Sequence, residues 1–252
     1  MPIKSYNDGR RVLSKTDISS SVVTGQSKIS YHSNEFFTVK VRDPTITFKY
    51  YAYGDSIGTT NFYWNDTSAG TLTEVSVVSS NGNTYNSGMT GEQHTTSGLD
   101  WYTGTITLTD FENSGFGRFV IRHQMSSNTS NWYTGDWQID NIKINAANGT
   151  THDLDPDLYR QNSSNQFWQR STTYNTNWTS SHSWTDVAVG TNSTHIWNYD
   201  ANGTASSNTA DTVNSDGSST EYYLYAEASG GYSRFSYLQT KDEYDLSSGG
   251  KQ

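Results

Sequence analysis

Cysteine is absent from this 252-residue sequence, proline appears 3 times, and charged residues make up only 16%. Without cysteine no disulfide can staple the chain, so burial and hydrogen bonding must hold the fold. Low charge combined with many rings excludes the usual composition of a disordered chain. No apolar run is long enough to cross a membrane as a helix, and no stretch of Ala, Leu, Glu and Lys recurs at helical spacing. The stretch from Met1 to Arg11 lacks the apolar core of a signal peptide. Lys and Arg total 16 against 25 acidic residues, a formal net charge of -9. That balance argues against nucleic acid as a partner, because phosphate binding needs concentrated Lys and Arg.

What fills the sequence is 18 Tyr, 8 Trp and a background of Ser, Thr, Asn and Gly. Aromatic and β-branched residues suit pleated, half-buried strands, while Gly, Asn and Ser suit the turns between them. The expected class is all-β. Ile46, Phe48 and Tyr50 alternate with Thr45, Thr47 and Lys49, the period of a strand with one buried face. Thr71 to Val78 reads as one strand running into Ser79-Ser80-Asn81-Gly82-Asn83, a sequence with hairpin-turn chemistry. Ile106 and Leu108 share a face, as do Phe119 and Ile121. Trp137, Ile139, Ile142 and Ile144 change face at Asp140-Asn141, which predicts a β-bulge there. Short strands at this spacing imply a sandwich or a barrel.

Four stretches follow from texture. Residues 1–28 form an N-terminal arm in which Lys4, Arg10, Arg11 and Lys15 cluster, a basic segment suited to docking on a partner. Residues 29–145 are expected to form a sandwich, and 146–166 a connector with turn residues and little to bury. Residues 167–252 resume β texture at Phe167 to Arg170, Glu221 to Glu227 and Tyr232 to Leu238, with a surface loop expected over 198–220.

Gly135-Asp136-Trp137-Gln138-Ile139-Asp140-Asn141-Ile142 resembles the Gly-Asp-(apolar)-x-Ile-Asp-Asp-(apolar) signature that closes the MAM domain. That family is a jelly-roll adhesion module found in meprin-like proteases and receptor phosphatases. Gly91-Glu92-Gln93 followed by Trp101 is similar to its Gly-x-Gln…Trp segment, and Thr45 to Gly54 to its Phe-x-Tyr strand. These cover the family's C-terminal half. Its N-terminal half is resembled later in the chain, by Phe167 to Arg170, by Tyr222 to Ser229 and by Arg234 to Leu238. The resemblance therefore implies an antiparallel jelly-roll sandwich whose halves occur in reversed order. Three arrangements satisfy it: one permuted sandwich, a first domain followed by a second incomplete one, or exchange of halves between chains.

Catalytic chemistry finds little footing. No Gly-x-Ser-x-Gly elbow accompanies the histidines, and His32, His94, His123, His152, His182 and His195 show no His-x-x-x-His spacing. Asp136 and Asp140 flank Trp137 and share a strand face, as the carboxylates of a jelly-roll glycosidase would. The resemblance instead gives them to a structural signature, so the expectation is no enzyme. By the same resemblance Asp136, Asp140 and Glu227 match positions near which some family members hold a cation, and oxygen ligands suit Ca2+. The competing use of Asp140 and Glu227 is to accept backbone hydrogen bonds at strand ends. Trp64, Trp132, Tyr133, Trp178 and Trp184 sit in polar, turn-like surroundings and are candidates to stack on sugars or a receptor. Trp101, Trp137 and Trp168 are assigned to the core. The sequons at Asn65, Asn148 and Asn177 are what chance produces in so Asn-, Ser- and Thr-rich a chain.

Missing cysteine, the missing leader, the β texture and the basic arm together lead to an expected role in a virus particle. The part is a bacteriophage fibre, tail or capsid-decorating component, homo-oligomeric, assembled in the host cytoplasm and touching other virion proteins or a host-surface glycan. The alternative is a carbohydrate-binding module of a secreted bacterial protein, located outside the cell.

Overall fold

The alternation over 45–50 becomes strand β4 (Thr45–Ala52), with Ile46, Phe48, Tyr50 and Ala52 fully buried on one side. The structure is a computed structural model, and it describes residues 5–6, 10–13, 37–40, 42–98, 100–111, 115–127, 134–156, 167–171, 197–201, 203–204, 214–226 and 235–247. Ahead of β4, strands β1 (Ser5–Tyr6), β2 (Arg10–Leu13) and β3 (Phe37–Lys40) pair antiparallel in a small sheet of their own. After it come β5 (Thr59–Asp66), β6 (Thr71–Glu74), β7 (Val77–Ser79), β8 (Thr84–Tyr85) and β9 (Met89–Thr90). Next are β10 (Tyr102–Thr107), a 3-10 turn at Thr109–Phe111, β11 (Phe116–Gln124), β12 (Trp137–Asn145) and β13 (Thr151–Asp153). The last are β14 (Trp168–Ser171), β15 (Trp197–Asp200), β16 (Tyr223–Ala226), β17 (Phe235–Thr240) and β18 (Tyr244–Asp245).

Apart from the small N-terminal sheet, the strands lie in two packed antiparallel sheets, a β-sandwich. One sheet has eight strands, in the order β15-β16-β12-β4-β10-β7-β8 with β13 beside β12. The other has seven, in the order β14-β17-β11-β5-β6 with β18 beside β11 and β9 beside β5. Strands before residue 146 and strands after residue 166 therefore share both sheets: β16 pairs with β12, and β17 with β11. Phe48 of one sheet stacks on Phe62 of the other with ring centroids 5.0 Å apart, and Phe62 packs on Trp137 at 5.9 Å. The Trp197 indole N–H reaches across to the Ser236 carbonyl at 3.3 Å. No helix among the described residues is long and apolar enough to cross a membrane.

The predicted bulge is present. The β12–β4 register shifts between Asp140 and Lys143, and Asn141 takes a left-handed φ of 48°, a conformation that Asn tolerates better than most residues. Without that extra residue, Trp137 and Ile139 could not share the inner face with Ile142 and Ile144.

Three local expectations are corrected. Thr71 to Val78 is not one strand: β6 belongs to the seven-stranded sheet and β7 to the eight-stranded one, and the chain crosses between them at Val75-Ser76. The start of the expected connector is not free of burial. Ala146, Ala147 and Leu154 are buried, and β13 folds back along the end of β12. The expected loop over 198–220 opens with a buried edge strand, because Trp197 and Tyr199 alternate inward and anchor β15 against β16.

Candidate functional site

β12 and β16 place polar groups on the outer face of the eight-stranded sheet. Gln138 stands opposite Tyr225, and beyond β16 the pairs continue to Asn198 and Asp200 of β15. Asp136, Gln138, Asp140, Tyr223 and Tyr225 are buried although they point away from the sandwich core. Their partners explain it. Thr204 donates its hydroxyl to Asp136 Oδ2. Asp140 Oδ1 accepts the Asn141 amide at 2.8 Å, and its Oδ2 accepts the Ser215 amide at 2.9 Å. The turn carrying Ser215 is closed by Asn214, whose Oδ1 accepts the amides of Asp216 and Ser218. Burial, and then the neighbouring Asp200 carboxylate, push the Tyr223 phenol well above its ordinary pKa. Alongside, Trp101 packs at 5.8 Å from both Tyr51 and Tyr223.

Of the residues expected to lie near a cation, Asp140 makes the backbone hydrogen bonds of the competing expectation. Both of its oxygens accept backbone amides, one at the bulge and one at the incoming loop. Glu227 lies outside the described residues. Among the described residues no three His, Asp or Glu side chains converge on one point.

Among the expected exposed aromatics, Trp64 is a correction. It is fully buried between the sheets, because Thr60, Phe62 and Trp64 of β5 alternate inward in spite of the polar residues Asn65 and Asp66 that follow. Trp132, Tyr133, Trp178 and Trp184 lie outside the described residues, as do Lys4 and Lys15. Arg10 and Arg11 lie in β2, opposite Lys40 and Val39 of β3. Trp101, Trp137 and Trp168 are buried, as expected of core residues.

A surface that sequence reasoning missed lies on the outer face of the seven-stranded sheet. Register sets Arg122 of β11 between Tyr237 of β17 and Asn61 of β5, with Tyr63 and Phe235 one step along. The Arg122 guanidinium lies 5.6 Å from the Tyr63 ring centroid and 5.2 Å from that of Phe235, and it donates to Asn61 Oδ1 at 2.8 Å. Phe235 is 36% exposed. Burial raises the Tyr63 pKa, while the positive charge of Arg122 acts against that rise. Arg118, two positions along the same face, pairs with Glu243 at 3.0 Å. On the same face of β17, opposite Val120, Gln239 is fully buried, with neither end of its amide hydrogen-bonded. Alternation could have placed each of these residues on an outer face. Only the pairing of β17 with β11 brings Phe235 and Tyr237 beside Arg122.

No protein-family model matches this chain, and comparisons with curated proteins and with solved structures also find no match.

Proposed function

We propose that this chain is a non-enzymatic structural and adhesion component of a virus particle, of the bacteriophage fibre, tail or capsid-decorating kind. Its working surface is the outer face of the seven-stranded sheet. One observation carries the surface: an arginine held between two rings, Tyr63 and Phe235, with Phe235 partly open to solvent. Tyr and Arg concentrate binding energy in protein interfaces and Phe is enriched there; the rings bury large area at small entropic cost, and the guanidinium adds directed hydrogen bonds. Holding the guanidinium in place beforehand removes part of the ordering cost of association. The assignment to a particle rests on composition, namely no cysteine and abundant Tyr, Asn, Ser, Thr and Gly. The MAM-like motifs around Asp136 to Ile142 support adhesion as the mode of action.

The same rings also support the alternative, a carbohydrate-binding module, since flat aromatic faces stack on pyranose rings. Particle purification separates the two. Recovery of the chain in purified particles at fixed stoichiometry is expected, whereas retention of a soluble monomer on a polysaccharide column would favour the module. In either setting Arg122→Ala and Phe235→Ala are expected to weaken binding by about tenfold or more. Unchanged binding in both variants would remove this face from the function.

A further inference from the structure

The segment formed by residues 91–98 and 100–101 is tied to the end of β4 by a histidine whose protonation state is dictated by its partners. His94 Nδ1 accepts the Ala52 amide at 3.2 Å, and Nε2 lies 3.2 Å from the Asp100 carbonyl oxygen. A backbone amide can only donate and a carbonyl can only accept. Nδ1 must therefore keep its lone pair and Nε2 must carry the proton, which makes the imidazole neutral. A second proton would have to enter at Nδ1, facing the Ala52 N–H. The ring is fully buried, with centroids 4.4 Å from Tyr51 and 4.2 Å from Tyr102. Burial holds its pKa below the ordinary histidine value.

The remaining ties of the segment converge on the same few residues. The Gln93 and His94 amides both donate to the Ala52 carbonyl at 2.9 Å, and the Gly98 amide donates to the Tyr51 hydroxyl at 3.0 Å. Glu92 Oε1 accepts the Gly54 amide at 3.0 Å. The titratable groups packed on the imidazole are Tyr50 and Tyr51 from β4 and Tyr102 from β10. Within the segment they are Glu92 and Asp100, whose side chains are exposed, and Asp100 meets the ring through its carbonyl.

We infer that His94 is an acid-released latch: taking up a proton detaches residues 91–98 from the end of β4 and uncovers the Tyr51 ring. The sign follows from linkage. In the released segment the histidine titrates near pH 6.5, whereas in the latched one it stays neutral to lower pH, so acid favours release.

Amide hydrogen exchange of the whole chain at pH 7.5 and pH 5.5, corrected for the intrinsic pH dependence of exchange, tests this. Opening at Ala52, Gln93, His94 and Gly98 is expected to rise by up to about tenfold at the lower pH. Protection at Phe119 and Ile121 of β11 is expected to hold. In His94→Asn, whose Oδ1 can accept the Ala52 amide but cannot titrate, the rise is expected to vanish. A rise spread evenly over the chain, no rise, or the same rise in His94→Asn would each overturn the latch. Nitrogen NMR of the unmodified chain gives a second reading that needs no variant. A neutral His94 protonated at Nε2 is expected at pH 7.5, and a charged ring or an Nδ1-protonated one would also overturn it.

Discussion

Gly117 of β11 lies against the indole of Trp64, so close that a β-carbon at Gly117 would run into Cε2, Nε1 and Cζ2 of the ring. The glycine is what lets a tryptophan lie flat between the sheets at that point. Gly117→Ala is therefore expected to destabilise the chain by about 1–3 kcal/mol, the usual cost of overpacking a filled core. Urea unfolding would show a lower midpoint with an unchanged slope. Gly104 against Phe48 repeats the arrangement in the other sheet, and Gly104→Ala is expected to behave alike.

Asp140 ties the bulge of β12 to the turn before β16 through two backbone amides. Asp140→Ala leaves those amides without an acceptor and is expected to cost about 1–3 kcal/mol. Asp140→Asn keeps one acceptor oxygen and is expected to cost less. Since the carboxylate is engaged by amides, a chelator is expected to leave the melting temperature unchanged. A fall in Tm on chelation, restored by Ca2+, would return Asp140 to the role of a metal ligand.

Gln239 is buried with an unpartnered amide, which costs free energy and returns no hydrogen bond. Gln239→Met keeps length and volume and removes the polar atoms. It is expected to raise stability by about 1–3 kcal/mol, read from denaturant midpoints. A loss of stability instead would mean that the amide is satisfied in solution, by water or by a partner.

Several phenols should resist ionisation. Burial raises the pKa of Tyr50, Tyr63, Tyr223 and Tyr244 above the ordinary value of 10.0. Above pH 10 the unfolded chain gives up these protons while the folded chain keeps them, so stability is lost as pH rises. An ultraviolet titration of the folded chain is expected to show a delayed tyrosine fraction that ionises together with unfolding. Full ionisation near pH 10 with the fold intact would contradict the burial of these rings.

Much of the fold was legible one strand at a time. The inward residues of β4, β10, β11 and β12 follow from period-two alternation, and the bulge at Asp140-Asn141 follows from a break in it. Reading failed where the polar residues that follow mislead. Trp64 looked exposed because Asn65 and Asp66 follow it, and Asn198 to Asp200 looked like loop because Asn, Ser, Thr and Gly follow them. The crossing at Val75-Ser76 left only a three-residue step from Leu72 to Val75, a break in alternation that reading the stretch as one strand passed over. The Arg122 surface was out of reach for another reason: its rings come from β5 and β17, which are far apart in the chain.

The sequence by itself determined the class of structure and which side of most strands turns inward, because alternation of apolar and polar residues is a local property of each strand. The tertiary structure alone decided which strands lie side by side. That choice depends on which apolar faces meet and which register lets them interdigitate, a property no single segment carries. It buried Trp64, assigned Asp140 to two amides, clasped Arg122 between Tyr63 and Phe235, and set His94 over Tyr51.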